Sequence, residues 1–321
     1  VVRGSNPRSG FLVIKMSEHE IIKNIISKYS YVNDDVYIDK DGLMYKIDGF
    51  QLGYTFDFMD YYDLGWKAVT AAVSDIFSRG GEPKNVLASI GIEKDKIDKI
   101  EEIIKGIKDA CDYYHVSFVG GDLNSSSSSG WIDISVIGKT LCNTRAENVK
   151  EGDSIIITNP IGYTSLVFIS YLNSWKIKLN YIEKNKIKHP VVNRRIVSFF
   201  KNYCKFIHYS TDISDGIVIS LYNIMERSRK GIKLFRIPIS DYIKNKLTEY
   251  NVKIDDILKY SGEEFETLIV VDKNYTTEIL NFMEYLGFSP VYIGEISNTN
   301  NLQFNDKIIK KTGWDNFTGW F

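Results

Sequence analysis

Aspartates at strand ends or beside glycines are the residues whose types and spacing point to chemistry: Asp34-Asp35, Asp48-Gly49, Gly121-Asp122, Asp212 and Asp215-Gly216. Asp75 joins them from an apolar, helix-patterned stretch that carries Ala68, Ala72 and Ile76. Aspartate is a poor helix former and is rarely buried unpaired. Each one also has a plain structural explanation. Asp-Gly pairs are common turn chemistry, and Asp75 is spaced i,i+4 from Arg79, a pair worth about 0.3–0.5 kcal/mol. Together the set suggests a hard-metal site. Carboxylate oxygens suit magnesium, which is often held by a few aspartates plus substrate phosphates. A phosphoryl-transfer site must neutralise several phosphate charges while holding donor and acceptor in line. Several Mg2+ ions gathered by aspartates would do this without a large basic patch.

The common alternatives lack their motifs. No G-x-x-x-x-G-K-[ST] loop occurs, and no G-x-G-x-x-G follows a strand and opens a helix. Protein-kinase signatures and the G-x-S-x-G elbow are missing. His19, His115, His189 and His208 have no metal-ligand spacing and read as surface or satisfied core residues. Cys111, Cys142 and Cys204 lie far apart with no C-x-x-C pair, so neither a zinc ribbon nor a disulfide framework is readable. They read as packed side chains in a protein whose default home is the cytoplasm.

The elements that must position the aspartates fit an ordinary globular chain. Its 321 residues suggest two domains, and 44% hydrophobic and 25% charged residues can build a sizeable core. Lys and Arg number 40 against 41 Asp and Glu, which argues against a polybasic nucleic-acid binder. No apolar run reaches the roughly 18 residues of a membrane span. Residues 1–15 lack signal-peptide features and read as a leader or cloning remnant, with Met16 a plausible start.

Helical patterning covers 18–29, 64–78, 97–111, 164–172, 191–203 and 276–286. Strand patterning covers 36–38, 43–49, 116–119, 132–136, 154–158, 268–271 and 291–296. Gly80-Gly81 and Pro83 close the second helix, and the serines 125–129 form a loop. The segment Thr211 to Gly216 precedes a further helix. The uneven grouping favours an α+β fold over a doubly wound sheet. A polar stretch ending Glu151-Gly152-Asp153 divides 16–148 from 149–321.

The ordered motifs resemble the thiamine-monophosphate kinase family of the aminoimidazole-ribonucleotide-synthetase-like superfamily. The blocks are Asn33-Asp34-Asp35; Ile47-Asp48-Gly49; Tyr62 to Ala68 through Val73-Ser74-Asp75; Val119-Gly120-Gly121-Asp122; Lys150 to Asp153; Asp212 to Gly216; Ser261 to Glu266; and Gly313 to Phe317. The resemblance implies a two-domain α+β (α/β sandwich) architecture, with residues 16–148 binding ATP and Mg2+ and forming a homodimer. It implies transfer of phosphate from ATP to thiamine monophosphate, with several Mg2+ ions and no catalytic nucleophile or general base. By position, Asp35, Asp48, Asp75, Asp122, Asp212 and Asp215 match metal ligands. Gly121, Asp122, Arg145 and Ser214 match the ATP side, and Thr55, Glu264 and Trp314 match the substrate side. Arg145 also reads as a solvated linker residue, and Trp314 as a C-terminal core anchor.

The sequence departs from the family pattern at several places. T-D-T becomes Ile47-Asp48-Gly49, the histidine of G-x-H-F becomes Thr55, G-G-D-T becomes Gly120-Gly121-Asp122-Leu123, and G-G-E-D-Y-E becomes Ser261 to Glu266. Either Glu263 or Glu264 therefore stands on the substrate side. The competing readings are another ATP-using enzyme of the superfamily, such as aminoimidazole ribonucleotide synthetase, and a non-catalytic nucleotide sensor.

Overall fold

The computed structural model describes residues 16–30 and 34–321. The expected leader, 1–15, and Asn33 of the first motif lie outside the described residues. In chain order the elements are α1 (Glu18–Asn24), β1 (Tyr37–Ile38), β2 (Leu43–Gln51), α2 (Tyr61–Ser78), β3 (Gly81–Glu93), α3 (Ile100–Tyr114), β4 (Ser117–Ser126) and β5 (Trp131–Thr140). Then follow β6 (Ser154–Ile157), α4 (Tyr163–Leu172), α5 (Tyr181–Lys188), α6 (Ile196–Tyr203), β7 (Ile207–Asp212), α7 (Ile217–Ser228), β8 (Gly231–Leu234), α8 (Asp241–Tyr250), α9 (Ile254–Lys259), β9 (Thr267–Val271), α10 (Thr276–Tyr285), β10 (Val291–Ser297), β11 (Leu302–Phe304) and β12 (Lys307–Ile308).

The first five strands form one sheet in the order β1-β2-β5-β3-β4, and the rest form a second in the order β12-β11-β8-β10-β6-β9-β7. Each is antiparallel except for one parallel pair, β3 with β4 and β8 with β11. This is the α+β arrangement that the element order predicts. Alternation along β2, β3 and β5 sends Met44, Val86, Ile90, Ile132, Ile134 and Val136 into the core shared with α2 and α3. The opposite face carries Leu43, Tyr45, Ile47, Leu87, Ser89 and Asp133.

α2 is buried on nearly all sides, which is why it is built from Ala68, Val69, Ala72, Val73 and Ile76. Asp60 caps its start reciprocally with Asp63. It crosses α3 at two glycines. A Cβ on Gly65 would stand 2.2 Å from the Ile103 carbonyl oxygen, and one on Gly106 would stand 2.0 Å from that of Tyr62. The backbones thus meet directly, which fixes the height of Asp75 in the last turn of α2.

Several expectations change. Residues 80–83 do end α2, but they also open β3; Pro83 sits beside a register shift, where its missing N–H costs no ladder bond. The helical patterning at 18–29 resolves into α1 and one tighter turn, Ile26–Lys28. α5, β7, β8, α8 and α9 were not legible as elements; β7, for instance, is entirely buried and mixes polar with apolar residues. Cys142 and Cys204, 62 residues apart, are paired as a disulfide because the chain leaving β5 meets the turn before β7. No local spacing signals this pairing. Cys111 is free and buried.

Gly106→Ala should destabilise the protein by about 1–3 kcal/mol through overpacking at the helix crossing. Urea unfolding would measure this, and an unchanged midpoint would show that the crossing can open at little cost.

Candidate functional site

Aspartates from separate segments meet where α2 lies between the two sheets. Asp34 and Asp35 precede β1, Asp48 lies on the inward face of β2, and Asp75 lies in the last turn of α2. Asp212 ends β7, and Asp215 lies in the turn before α7. Asp75 and Asp212 are buried, with 4% exposure each. Ser74, the residue before Asp75, donates from Oγ to Asp212 Oδ2 at 2.6 Å, joining α2 to the second sheet. Thr211 donates to Asp35 at 3.3 Å.

Three cations thread this group. Arg227 of α7 donates from Nη1 and Nη2 to the two Asp35 oxygens at 2.9 and 3.0 Å, and its Nη1 lies 3.1 Å from Asp34. Arg79 reaches Asp34 at 2.8 Å while donating to Thr144 and to the Ser210 carbonyl. The i,i+4 pairing of Asp75 with Arg79 therefore does not form. Asp75 instead takes Lys46, whose Nζ lies 2.7 Å away and 3.5 Å from Asp48. Burial opposes charge on Asp35, but Arg227 outweighs it and holds the carboxyl far below its ordinary range. Burial likewise opposes charge on Lys46, and Asp75, Asp48 and Asp35 more than restore it.

Asp75, Asp212 and Asp215 are less well compensated: burial, with Asp212, Asp48 and Asp35 adding to it, raises the Asp75 carboxyl well above its ordinary range despite Lys46. Burial pushes Asp212 up to about 6, against the Ser74 hydrogen bond and with Asp35 adding to the rise. Burial, followed by Glu18, Asp48, Asp212 and Asp35, pushes Asp215 up to about 8. Among the described residues no three carboxylates converge closely enough, as they stand, to hold an ion. The donor set still fits a hard divalent cation: it is all carboxylate oxygen, largely desolvated, and short of positive charge around Asp212 and Asp215.

The remaining expected residues divide. Asp122 is exposed on the edge strand β4; Asn124 donates to it at 2.7 Å, and its register partner Ser89 places it on the face away from the cluster. Gly121 pairs with Ala88 so closely that a Cβ would stand 1.8 Å from the Ala88 carbonyl oxygen. The Arg145 side chain is exposed, while its amide donates to the His208 carbonyl. The Ser214 carbonyl accepts from the Glu263 amide at 2.6 Å.

On the substrate side, Trp314 is pinned to the cluster, since its amide donates to the Asp215 carbonyl at 2.9 Å. Gly313 makes room for this, as a Cβ there would meet Asp215 O at 2.7 Å. The Trp314 ring packs edge-on against Tyr54 and Trp320. Thr55 lies between Tyr54 and Phe56, whose ring meets Phe58, Tyr171 and Trp175. Glu264 is buried and accepts from the Gly162 amide at 2.6 Å, so it braces the start of α4. Glu263 is the more open of the two and pairs with Lys67 of α2 at 2.6 Å.

Sequence reasoning missed Lys46, Arg79 as the partner of Asp34, and Arg227. The period of β2 could have found Lys46, two residues before Asp48 on the same face. Nothing local marks Arg227.

Residues 33–140 match the family described as AIR synthase related protein, N-terminal domain. A thiamine-monophosphate kinase of Aquifex aeolicus is 25% identical over 257 residues, covering 79% of this chain and 81% of the relative. That of Methanocaldococcus jannaschii is 28% identical over 313 residues, covering 88% and 93%. Among solved structures, AaThiL complexed with AMPPCP and TMP superposes with a TM-score of 0.81 at 23% identity, covering 94% of this chain and 97% of that one. The resemblance read from the motifs holds, and the fold is the α+β architecture of these proteins.

The raised acids set a pH dependence. Their folded pKa values lie above those of an unfolded carboxylate, so the stability they contribute is complete at low pH and is lost as pH rises through about 6 and then about 8. In EDTA the melting temperature should fall between about pH 4 and pH 8, and Mg2+ should reduce that fall. A melting temperature flat across this window in EDTA would contradict the assignment.

Proposed function

We propose that this chain is an ATP-dependent thiamine-monophosphate kinase, built on the AIR-synthase-related fold, that forms thiamine diphosphate. What carries the reading is one arrangement: carboxylates from β2, α2, β7 and the turns beside β1 and α7 meet beside an aromatic wall anchored on Asp215. The relatives' name supplies thiamine monophosphate, and the AMPPCP in the AaThiL complex supplies the nucleotide.

In the reaction a phosphate oxygen of thiamine monophosphate attacks the γ-phosphorus of ATP. The new P–O bond forms as the bond to the ADP oxygen breaks. The acceptor is already largely ionised near neutral pH, so no general base or covalent intermediate is needed. Bound Mg2+ ions would supply charge neutralisation between the two sets of phosphates. Asp212 and Asp215 would hold them, with Asp35, Asp48 and Asp75 completing the acidic cluster beside Arg227 and Lys46. Gly121 would approach the nucleotide from β4, with Arg145 at the end of the first domain and Ser214 in the second; Asp122, on the far face of the sheet, stays outside the cluster. Trp314 and Tyr54 offer ring faces to the cationic thiazolium and the pyrimidine, with Thr55 and Glu263 flanking them. Glu264 acts one step back, through Gly162.

Residues 16–148 and 149–321 then form two domains that share the site. The open face of the first sheet, with Ile47 65%, Tyr45 38% and Leu87 36% exposed, is the surface through which a homodimer would form. A cytoplasmic location completes the reading; among the described residues no helix is long and apolar enough to cross a membrane.

Incubation with ATP, Mg2+ and thiamine monophosphate, followed by chromatography, should yield thiamine diphosphate and ADP. Asp212→Asn should lower kcat by about 100-fold or more while leaving the fold intact. ATP binding with no product in the wild type would overturn the kinase in favour of a sensor.

A further inference from the structure

Lys46 is the unexpected member of the cluster. It projects from β2 on the same face as Met44 and Asp48, toward α2, and its side chain is only 17% exposed. Its Nζ stands between Asp75 at 2.7 Å and Asp48 at 3.5 Å. The other two cations are committed elsewhere: Arg227 to Asp34 and Asp35, and Arg79 to Asp34. Asp212 is met by a neutral hydroxyl, that of Ser74. On the side of the cluster formed by β2 and α2, the positive charge therefore comes from a side chain.

We propose that Lys46 is a built-in cation standing where a divalent ion would otherwise bridge Asp48 and Asp75, so that this chain takes one metal ion fewer on that side. The ammonium is compact, carries three donors and is tethered by a flexible stem, so it can span two carboxylates as an ion would. A metal bridging Asp48 and Asp75 would have to displace it against two close carboxylates. Asp212 and Asp215 have no such occupant, and they remain the carboxylates open to metal. Lys46 is a positioning residue in this account. The inference rests on the reading of the cluster as the metal-holding side of the kinase site.

The test uses the full chain without nucleotide. Lys46→Met and Lys46→Gln remove the charge at similar side-chain length, and Mn2+ bound per chain is counted by equilibrium dialysis beside thermal melting in EDTA and in Mg2+. Both variants should bind one more Mn2+ than wild type. Both should melt lower in EDTA, and Mg2+ should raise their melting temperature by about 5 °C more than it raises that of wild type. Variants that fold only when Mg2+ is present would also support the proposal. Equal ion counts with an equal Mg2+ response would overturn it, as would variants that fail to fold at any Mg2+ concentration. Product formation by the wild type, assayed separately, tells failure of this inference from failure of the kinase reading.

Discussion

The structure depends on holding mutually repelling carboxylates together between two sheets. Buried charge is costly unless it is paired. The chain meets that cost with Arg227 and Arg79 around Asp34 and Asp35, Lys46 between Asp75 and Asp48, and the Ser74 hydroxyl on Asp212. The compensation is uneven. It is strong around Asp35 and weak at Asp75, Asp212 and Asp215, whose carboxyls keep their protons to higher pH.

The rest of the fold serves that placement. The Gly65 and Gly106 crossing sets α2 at a fixed height, so Ser74 and Asp75 face the end of β7. Gly313 lets the C-terminal segment run against the Asp215 backbone, which fixes Trp314, and with it the Tyr54 and Trp320 rings it packs on, to the turn that carries Asp215. Glu263 and Lys67 tie the loop after α9 back to α2. The aromatic wall and the acidic cluster therefore share anchors, and movement of one would be felt by the other.

Much of the site could be read from the sequence because aspartates beside glycines or at strand ends stand out. Asp35, Asp48, Asp75, Asp212 and Asp215 lie within electrostatic reach of one another, although no three of them close on an ion as they stand. What could not be read is what they touch. Asp75 and Arg79 have ideal helical spacing, yet Arg79 is drawn away by Asp34, Thr144 and the Ser210 carbonyl, partners far off in sequence. Asp122 shares the glycine context of the others, but the register of β4 against β3 leaves it exposed. The paired Cys142 and Cys204 likewise depend on tertiary proximity alone. Strands with alternating residues, such as β2 and β5, were legible. β7 was not, because burial on both faces removes the alternation.

Calorimetric titration of the full chain with a non-hydrolysable ATP analogue tests the central claim most directly. Binding is expected in Mg2+, with little or none in EDTA and a large loss in Asp212→Asn and Asp215→Asn. Equal affinity with and without Mg2+, or binding unchanged in both variants, would contradict it.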